Sequence, residues 1–323
     1  MLTRLINRLT RASRVLILFH ESPDGDGIAS SLALGYVLRE KGKQVDYACK
    51  DVIPNIFHFL PGVEQIRRDF ILGDYDVVCT VDCGDARRTG FPDRIKEFAQ
   101  RQKRLINIDH HLQNDLRKIA NINYVDEGAA ASAELVYAII EKLDGKIDKR
   151  LATLLLTGLY TDTGGFQHSN TSPRVYILAA RLLAHGASLG KISKNILLSR
   201  KFATLKLWGL AMARVQHNRW GFAVSYILQE DLSELGAESD DAAGIVNIIN
   251  SIPEAKVSIL FVELPDNLIK ASIRTESDMI DVARLAYYFG GGGHKKASGF
   301  MVDGRIRVLR GGQWTIDFAA PKE

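Results

Sequence analysis

The feature that most restricts the fold is a regular alternation of short apolar segments and helical patterns in the first half of the chain. The apolar segments read RVLILF, QVDYACK, YDVVCTVD and RLINID, and polar residues or glycine follow each of them. Short aliphatic runs of this kind predict buried strands, and the stretch GIASSLALGYVLREKG between the first two predicts a helix. Repeated strand–helix–strand units indicate a mostly parallel sheet covered by helices.

Acidic residues and histidines are concentrated where these predicted strands end. Because the carboxyl ends of parallel strands meet at one edge of a sheet, groups that are far apart in the sequence are expected to converge there. One further carboxylate lies at the end of a predicted helix and is expected to join them. In chain order the candidates are His20, Asp24, Asp26, Asp82, Asp109, His110, His111 and the helix-end residue Asp162.

Such a crowd of carboxylates is unfavourable without compensation, and proteins resolve it by raised pKa values or by a bound metal. Oxygen ligands with some imidazole and no thiolate favour Mn²⁺ or a similar ion, with Mg²⁺ as an alternative that retains more water. Two ions about 3.5–4 Å apart that share a carboxylate fit this number of ligands better than one ion. Each motif alone has an ordinary explanation, such as a turn for DGDG or a helix cap for Asp26, so the prediction depends on their conjunction.

The secondary-structure pattern changes twice in the second half of the chain. From about Ser132 to His185 the patterns are helical, and SKNILLSRKFATLKLWGLAMARVQ predicts a long connecting helix. After His217 the segments WGFAVSYI, KVSILFVEL, LIKASIRT and ASGFMVDG predict strands of a smaller mixed sheet. A length of 323 residues also favours two domains. We predict an α/β protein with a catalytic domain at 1–187, a helical linker at 188–216 and a second α/β domain at 217–323.

Charge and cysteine content limit the classes of partner and compartment. The net charge of +4 is the small difference between 42 basic and 38 acidic residues, which gives no electrostatic argument for binding duplex DNA. No apolar run approaches the roughly 20 residues that span a bilayer, so we expect no membrane association. Cys49, Cys79 and Cys83 are too few for a disulfide framework and predict reduced thiols in a cytoplasmic protein.

Taken together, these motifs resemble the DHH phosphoesterase superfamily, in the subfamily with a C-terminal DHHA1 domain. The matching segments occur in family order over nearly the whole chain and read HESPDGDGIAS, VDCGD, NIDHH, TDTGGFQHSNT, ASIRT and FGGGGHKKASGF. The resemblance is closest to the bifunctional oligoribonucleases and 3′-phosphoadenosine 5′-phosphate (pAp) phosphatases of this subfamily. It implies an Mn²⁺-dependent hydrolase, with water activated by two metal ions, that degrades short RNA (nanoRNA) to mononucleotides and dephosphorylates pAp.

The resemblance also implies roles for individual residues. Two ions would be bound, Mn²⁺ or alternatively Mg²⁺ or Co²⁺. The implied ligand sets are His20, Asp24 and Asp82 for one ion and Asp26, Asp82, His110 and Asp162 for the other. Asp82 belongs to both sets and would bridge the ions. Two further catalytic residues are implied: Asp109 would orient His110, and His111 would lie near the scissile phosphate, as a phosphate ligand or as a proton donor to the leaving oxygen.

The glycine run after the helical pattern DVARLAYYF is the candidate substrate-binding segment of the second domain. Backbone N–H groups of Gly291, Gly292 and Gly293 can approach a phosphate closely, and His294 can donate to it. Arg274 can form a paired hydrogen bond with a phosphate. A flexible hinge and a surface salt bridge are the alternative explanations of these two features. We expect the active site in the cleft between the domains, with the scissile phosphate at the metals.

Other functions remain open at this stage. A phosphodiesterase for cyclic-di-AMP or pApA has the same parts, and a catalytically silent nucleotide-binding module would differ by loss of ligands. The GGGGH motif disfavours a family II inorganic pyrophosphatase. Expected partners are short single-stranded RNA, pAp or dinucleotides as substrates, with no tracking along duplex DNA. A homodimer is compatible with the sequence.

Overall fold

The computed structural model describes residues 1–102, 104–112, 114–198 and 201–318, with the side chains of 197 and 198 left out. The chain divides into two compact units, Met1–Ser199 and Arg200–Glu323. This division falls inside the predicted linker at 188–216, of which 199 and 200 lie outside the described residues, as does the predicted domain end at 319–323. The predicted domain boundaries stay predictions, and each unit is described by itself.

A six-stranded sheet forms the centre of the first unit. Its strands are β1 (Arg14–Leu18), β2 (Gln44–Ala48), β3 (Ile66–Arg67), β4 (Val77–Val81), β5 (Leu105–Asp109) and β6 (Ile122–Val125). All neighbouring pairs are parallel, and the order is β3-β2-β1-β4-β5-β6. The direction of winding reverses between β1 and β4. In open parallel sheets this switch point is where ligands bind, beyond the carboxyl ends of the strands.

Helices cover both faces of this sheet. They are α1 (Leu2–Arg11), α2 (Gly25–Glu40), α3 (Pro92–Arg101), α4 (Leu116–Ile119), α5 (Ser132–Lys142), α6 (Lys149–Asp162), α7 (Pro173–Ala184) and α8 (Leu189–Ser193). Alternate residues of β1 enter different cores, with Val15 and Ile17 on one face and Leu16 and Leu18 on the other. Continuous apolar runs such as RVLILF are therefore buried on both sides, as parallel sheets require.

Helix α2 is buried almost all round, because it is enclosed between the sheet and the helices α5 and α6. Residues on different sides of this helix, such as Ile28, Ala29 and Leu34, are all fully buried. A helix that is apolar on every side belongs to the interior of a protein. Its first turn, which carries two of the candidate acids, is thereby fixed against the switch point of the sheet.

The second unit is the smaller of the two and contains a mixed sheet, as predicted, although this sheet has seven strands against six in the first unit. Its strands are β7 (Gln216–His217), β8 (Phe222–Ile227), β9 (Val257–Leu264), β10 (Leu268–Arg274), β11 (Gly292–His294), β12 (Ala297–Val308) and β13 (Trp314–Phe318). The order is β11-β12-β10-β9-β8-β7, with β13 paired to β12. Only β8 and β9 are parallel among the described pairs of this sheet. The predicted two-domain α/β fold is confirmed.

The second unit's helices are α9 (Phe202–Ala213), α10 (Gln229–Leu235), α11 (Ile245–Ile249) and α12 (Val282–Tyr288). The connecting segment, predicted as one long helix, is divided instead: α8 ends at Ser193 and a π-helical turn follows at Lys194–Leu198. Helix α9 buries Leu207 and Ala211 in the core of the second unit, so it has the partner face that its sequence did not reveal. Among the described residues, none of the helices has the length and apolarity to cross a membrane.

Candidate metal centre

All six predicted metal ligands lie together at the switch point of the first sheet. Their positions are His20 two residues after β1, Asp24 as the N-cap of α2, Asp26 in the first turn of α2, Asp82 directly after β4, His110 directly after β5 and Asp162 as the last residue of α6. The sheet and two packed helices thus bring the side chains together. Their role as ligands stays a prediction, which the local geometry supports.

The donor atoms form two groups that share one residue. One group contains His20, Asp24 and Asp82, and the other contains Asp26, Asp82, His110 and Asp162; within each group the donor atoms lie within 4.8 Å of one another. A third combination joins His111 to Asp82 and His110. The first two groups contain the same residues as the two implied ligand sets.

The carboxylate of Asp82 faces both groups, one oxygen to each. Its Oδ1 lies 3.3 Å from Nε2 of His110, and its Oδ2 lies 3.9 Å from Nε2 of His20. The residue is 1% exposed and adopts a φ of +60°, which is uncommon for a residue other than glycine. Such backbone strain is found preferentially at functional sites. A carboxylate placed in this way can bridge two cations.

Both histidines present an imidazole nitrogen suited to a metal. Nδ1 of His20 lies 2.7 Å from the carbonyl oxygen of Glu21, and Nδ1 of His110 lies 3.3 Å from that of Ala129. Because a carbonyl only accepts, Nδ1 carries a proton, and Nε2 is the nitrogen whose lone pair a metal would take in place of a proton. Nε2 of each histidine is buried without a hydrogen-bond partner among the described residues. Metal-binding histidines are held in this way, with the second ring nitrogen donating to a carbonyl or carboxylate.

The raised pKa values of the two histidines show that the cluster has an excess of negative charge. Burial alone would lower the pKa of His20, but Asp24 and Asp82 raise it to about 9. The same opposition acts on His110, where Asp162 and Asp82 outweigh burial and raise the pKa to about 12. Without a cation, the protein thus compensates its carboxylates with protons on the imidazoles.

Raised pKa values of two carboxylates likewise indicate that the cluster lacks positive charge. Burial, together with the charges of Asp82 and Asp162, raises the pKa of Asp26 well above its usual range. Burial, with the neighbouring charges of Asp24 and Asp82, raises the pKa of Asp162 to about 7. Carboxylates that hold protons near neutral pH are groups from which a divalent ion can displace those protons.

The chemistry of the donors fits divalent cations bound through oxygen and imidazole. The nearby cysteines do not contribute: the thiol of Cys83 donates to the carbonyl oxygen of Val81, and burial raises its pKa well above the usual value. Cys79 is buried within β4, and burial raises its pKa as well. The structure therefore offers carboxylates and imidazoles, and no thiolate, to a metal at this point.

Asp109 is fully buried beside the cluster and accepts several hydrogen bonds. Its Oδ1 accepts from the backbone N–H of His110 at 2.7 Å and lies 2.7 Å from Nδ1 of His111. Gly84 N and Asn114 Nδ2 donate to its other oxygen. Burial would raise the pKa of Asp109, but the contacts with His111 lower it. The family resemblance implied that Asp109 orients His110. The ring that Asp109 contacts is that of His111, and Asp109 contacts His110 through its backbone N–H.

Ser132, the first residue of α5, contacts the cluster although no motif in the sequence marks it. Its backbone N–H donates to Asp26 Oδ2 at 2.5 Å, and its hydroxyl donates to Asp82 Oδ1 at 2.9 Å. A serine at the start of the helical pattern SAELVYAIIEKL was the available signal, since helix N-termini bind anions. That signal does not say which anion lies there, and the two aspartates are 106 and 50 residues away in sequence.

In the second unit, the structure brings Arg274 and His294 onto one rung of the sheet. Both pair with Ala297 of β12, one from each side. Directly opposed residues of antiparallel strands point to the same face, so the two side chains share a face about 10 Å apart. Nε of Arg274 donates to Asn247 Oδ1 at 3.0 Å, and its Nη1 donates to the carbonyl oxygen of Ile273.

The predicted glycine loop is partly a strand. Gly292 to His294 form β11, which pairs with β12. A Cβ on Gly291 would lie 2.2 Å from the carbonyl oxygen of Gly299, and Gly293 has a φ of +140°. Those two glycines are required by the close approach to β12, whereas a Cβ on Gly292 would meet nothing within 4 Å. Gly292 is one of the predicted phosphate-binding glycines, and the local packing does not explain why this position is a glycine.

Comparison with known proteins agrees with this architecture. The DHH family, N-terminal domain, matches residues 14–159, and the DHHA1 domain matches residues 221–309. The bifunctional oligoribonuclease and PAP phosphatase NrnA of Thermus thermophilus is 31% identical over 93% of this chain and 88% of that protein. Its namesake from Bacillus subtilis is 26% identical over 93% of this chain and 92% of that protein.

Among solved structures, an exopolyphosphatase-related protein from Bacteroides fragilis superimposes with a TM-score of 0.86 at 27% identity, covering 93% of this chain and 90% of that one. The DHH match precedes the DHHA1 match along the chain, and it contains five of the six predicted ligands, all but Asp162. The chain belongs to the DHH–DHHA1 phosphoesterase family that includes the NrnA proteins.

Proposed function

We propose that this protein is an Mn²⁺-dependent phosphoesterase that hydrolyses short RNA oligonucleotides to mononucleotides and removes a phosphate from pAp. The observation that carries the proposal is the position of Asp82, whose two oxygens face two separate groups of donors. The relatives from Thermus thermophilus and Bacillus subtilis are named as oligoribonucleases and PAP phosphatases, which supports the choice of substrates.

The donor sets specify how the metals would be held. The first ion would bind His20, Asp24 and Asp82, and the second would bind Asp26, Asp82, His110 and Asp162. One imidazole in each set favours Mn²⁺ over Mg²⁺, with Co²⁺ as a further alternative. Bound divalent cations lower the pKa of a shared water and supply hydroxide near neutral pH.

His111 acts on the substrate in this proposal. Asp109 lies 2.7 Å from its Nδ1 and thereby orients the ring. The ring then either donates a hydrogen bond to a phosphoryl oxygen or gives its proton to the leaving oxygen. An activated aryl phosphate separates these roles, because its leaving group needs no proton. A large rate loss in His111→Asn on RNA but not on the aryl ester identifies a proton donor.

Arg274 binds a second phosphate of the substrate in this proposal. Burial lowers the pKa of its guanidinium, and its side-chain partner Asn247 is neutral. Among the described residues, no carboxylate forms an ion pair with Arg274, so a phosphate can supply the compensating charge. His294 shares the rung and the face of Arg274 and adds a donor, and Gly292 offers accessible backbone.

A substrate panel at a single enzyme concentration tests the proposed function. The panel consists of pAp, pApA, RNA of two to five nucleotides, cyclic-di-AMP and pyrophosphate, each with Mn²⁺ and with a chelator. We expect turnover of pAp and short RNA that the chelator abolishes. Faster turnover of cyclic-di-AMP than of linear substrates would assign a cyclic-dinucleotide phosphodiesterase instead, and binding without turnover in the presence of Mn²⁺ would indicate a silent module.

A further inference from the structure

Ser132 contacts two different carboxylates of the metal centre at once. It is fully buried at the start of α5. Its backbone N–H reaches Asp26, on α2, and its hydroxyl reaches Asp82, after β4. Asp26 belongs to one donor group and Asp82 to both, so a single serine connects the ligands contributed by two separate elements.

The hydroxyl hydrogen bond bears directly on the orientation of Asp82. The terminal torsion of an aspartate is broad, so the backbone alone does not decide which oxygen points where. The hydroxyl of Ser132 binds Oδ1, the oxygen that faces His110, at 2.9 Å. Oδ2 is thereby left to face His20. A rotation of the carboxylate would break this hydrogen bond and misalign both donor groups.

The helix that carries Ser132 is itself firmly held. Glu134 accepts a hydrogen bond from Ala130 N at 2.7 Å and forms an ion pair with Nε of Arg174, on α7, at 2.8 Å. Ala133 N donates a second backbone hydrogen bond to Asp26 at 3.1 Å. The start of α5 is therefore fixed to α2 and α7, and its dipole favours the negative charge of Asp26. A hydroxyl on such a support has a defined direction.

We propose that Ser132 is a positioning residue that fixes Asp82 in its bridging orientation and thereby sets the affinity of both cation sites. This inference rests on the proposed function. Residues that orient metal ligands typically contribute 10- to 100-fold to metal affinity or activity. We expect Ser132→Ala to weaken Mn²⁺ binding by about that factor, since the alanine keeps the backbone N–H to Asp26 and loses only the hydroxyl to Asp82.

Calorimetric titration of the full-length, metal-freed protein with Mn²⁺ tests this directly. The matched control is Ser31→Ala: Ser31 is a buried serine of α2 whose hydroxyl has no hydrogen-bond partner among the described residues. We expect weaker Mn²⁺ binding in Ser132→Ala, binding like the parent in Ser31→Ala, and recovery in Ser132→Thr, which restores a hydroxyl. Circular dichroism and the thermal midpoint verify that each variant is folded.

Parent-like Mn²⁺ affinity in folded Ser132→Ala would overturn the inference. If that variant does not fold, Ser132→Cys replaces it, with a weaker donor of similar size: reduced affinity supports the inference and unchanged affinity refutes it. The titration needs no substrate, so its result is separate from the proposed function. A parent protein that binds Mn²⁺ tightly but cleaves neither pAp nor RNA would refute the function alone.

Discussion

The donor groups of the first unit and the predicted substrate residues of the second unit differ in how far they are buried. Asp26 and Asp82 are at most 1% exposed and accept hydrogen bonds from Ser132, whereas Asp24, at the start of α2, is exposed. In the second unit His294 and Gly292 are exposed, on a short strand at the edge of the sheet.

This difference follows from the energetics of the two tasks. Buried carboxylates are tolerated only with compensation, so their geometry must be complete before a metal arrives. Phosphates are bound at the surface by accessible donors, and such a surface can accept more than one phosphate arrangement. A buried donor cluster and accessible phosphate donors fit the proposed phosphoesterase with two kinds of substrate.

The largest expected effect comes from removing the shared charge of the first unit. Asp82→Asn keeps a residue that tolerates the positive φ of this position, so the fold is expected to persist. Loss of the bridging carboxylate should reduce phosphate release from pAp by about 10³-fold or more. The control is Asp85→Asn, which removes a neighbouring charge that pairs with Arg87 and lies in neither donor group. Activity of Asp82→Asn within tenfold of the parent would contradict the bridging role.

In the second unit, removal of Arg274 should act on substrate and leave the metal sites unaffected. A hydrogen bond to a charged group contributes about 1.5–3 kcal/mol, so Arg274→Ala should raise KM for dinucleotide and pAp by about 10- to 100-fold. Mn²⁺ affinity should stay at the parental value. Lys270→Ala removes an exposed cation from the same strand and serves as the control. Equal KM values in Arg274→Ala and Lys270→Ala would show that Arg274 does not bind the substrate.

Two neighbouring glycines separate structural from functional requirements in the second unit. Gly291→Ala places a methyl group against the carbonyl oxygen of Gly299 and should destabilise the fold by about 1–3 kcal/mol, measured by urea unfolding. Gly292→Ala adds its methyl group in open space, so its stability should match the parent. If Gly292 provides close access to a phosphate, this variant should raise KM several-fold. A parental KM in Gly292→Ala would restrict the glycine run to its structural role.

Much of the first unit could be predicted because its determinants are local in sequence. An apolar run followed by His20 or Asp82 specifies a strand and the polar residue beyond its end, and parallel pairing then brings the ends together. The contact of Ser132 with Asp82 could not be predicted in this way. That contact depends on how α5 packs against α2. The residue periodicity within one segment carries no information about its packing against another.

The second unit was less predictable for a related reason. A run of glycines has no side-chain period, so the pattern does not distinguish the strand β11 from a loop. In the first unit, the ring that Asp109 contacts could not be predicted either, because His110 and His111 are adjacent and only the turn after β5 decides which ring meets the carboxylate.

In the connecting segment, helical propensity continued through the π-helical turn and gave no sign of the division between α8 and α9.

The bridging role of Asp82 is tested most directly by anomalous diffraction at the manganese edge from crystals soaked in Mn²⁺. We expect two peaks about 3.5–4 Å apart, one beside Oδ1 of Asp82 together with His110 and the other beside Oδ2 together with His20. A single peak, or two peaks that do not share Asp82, would contradict the assignment.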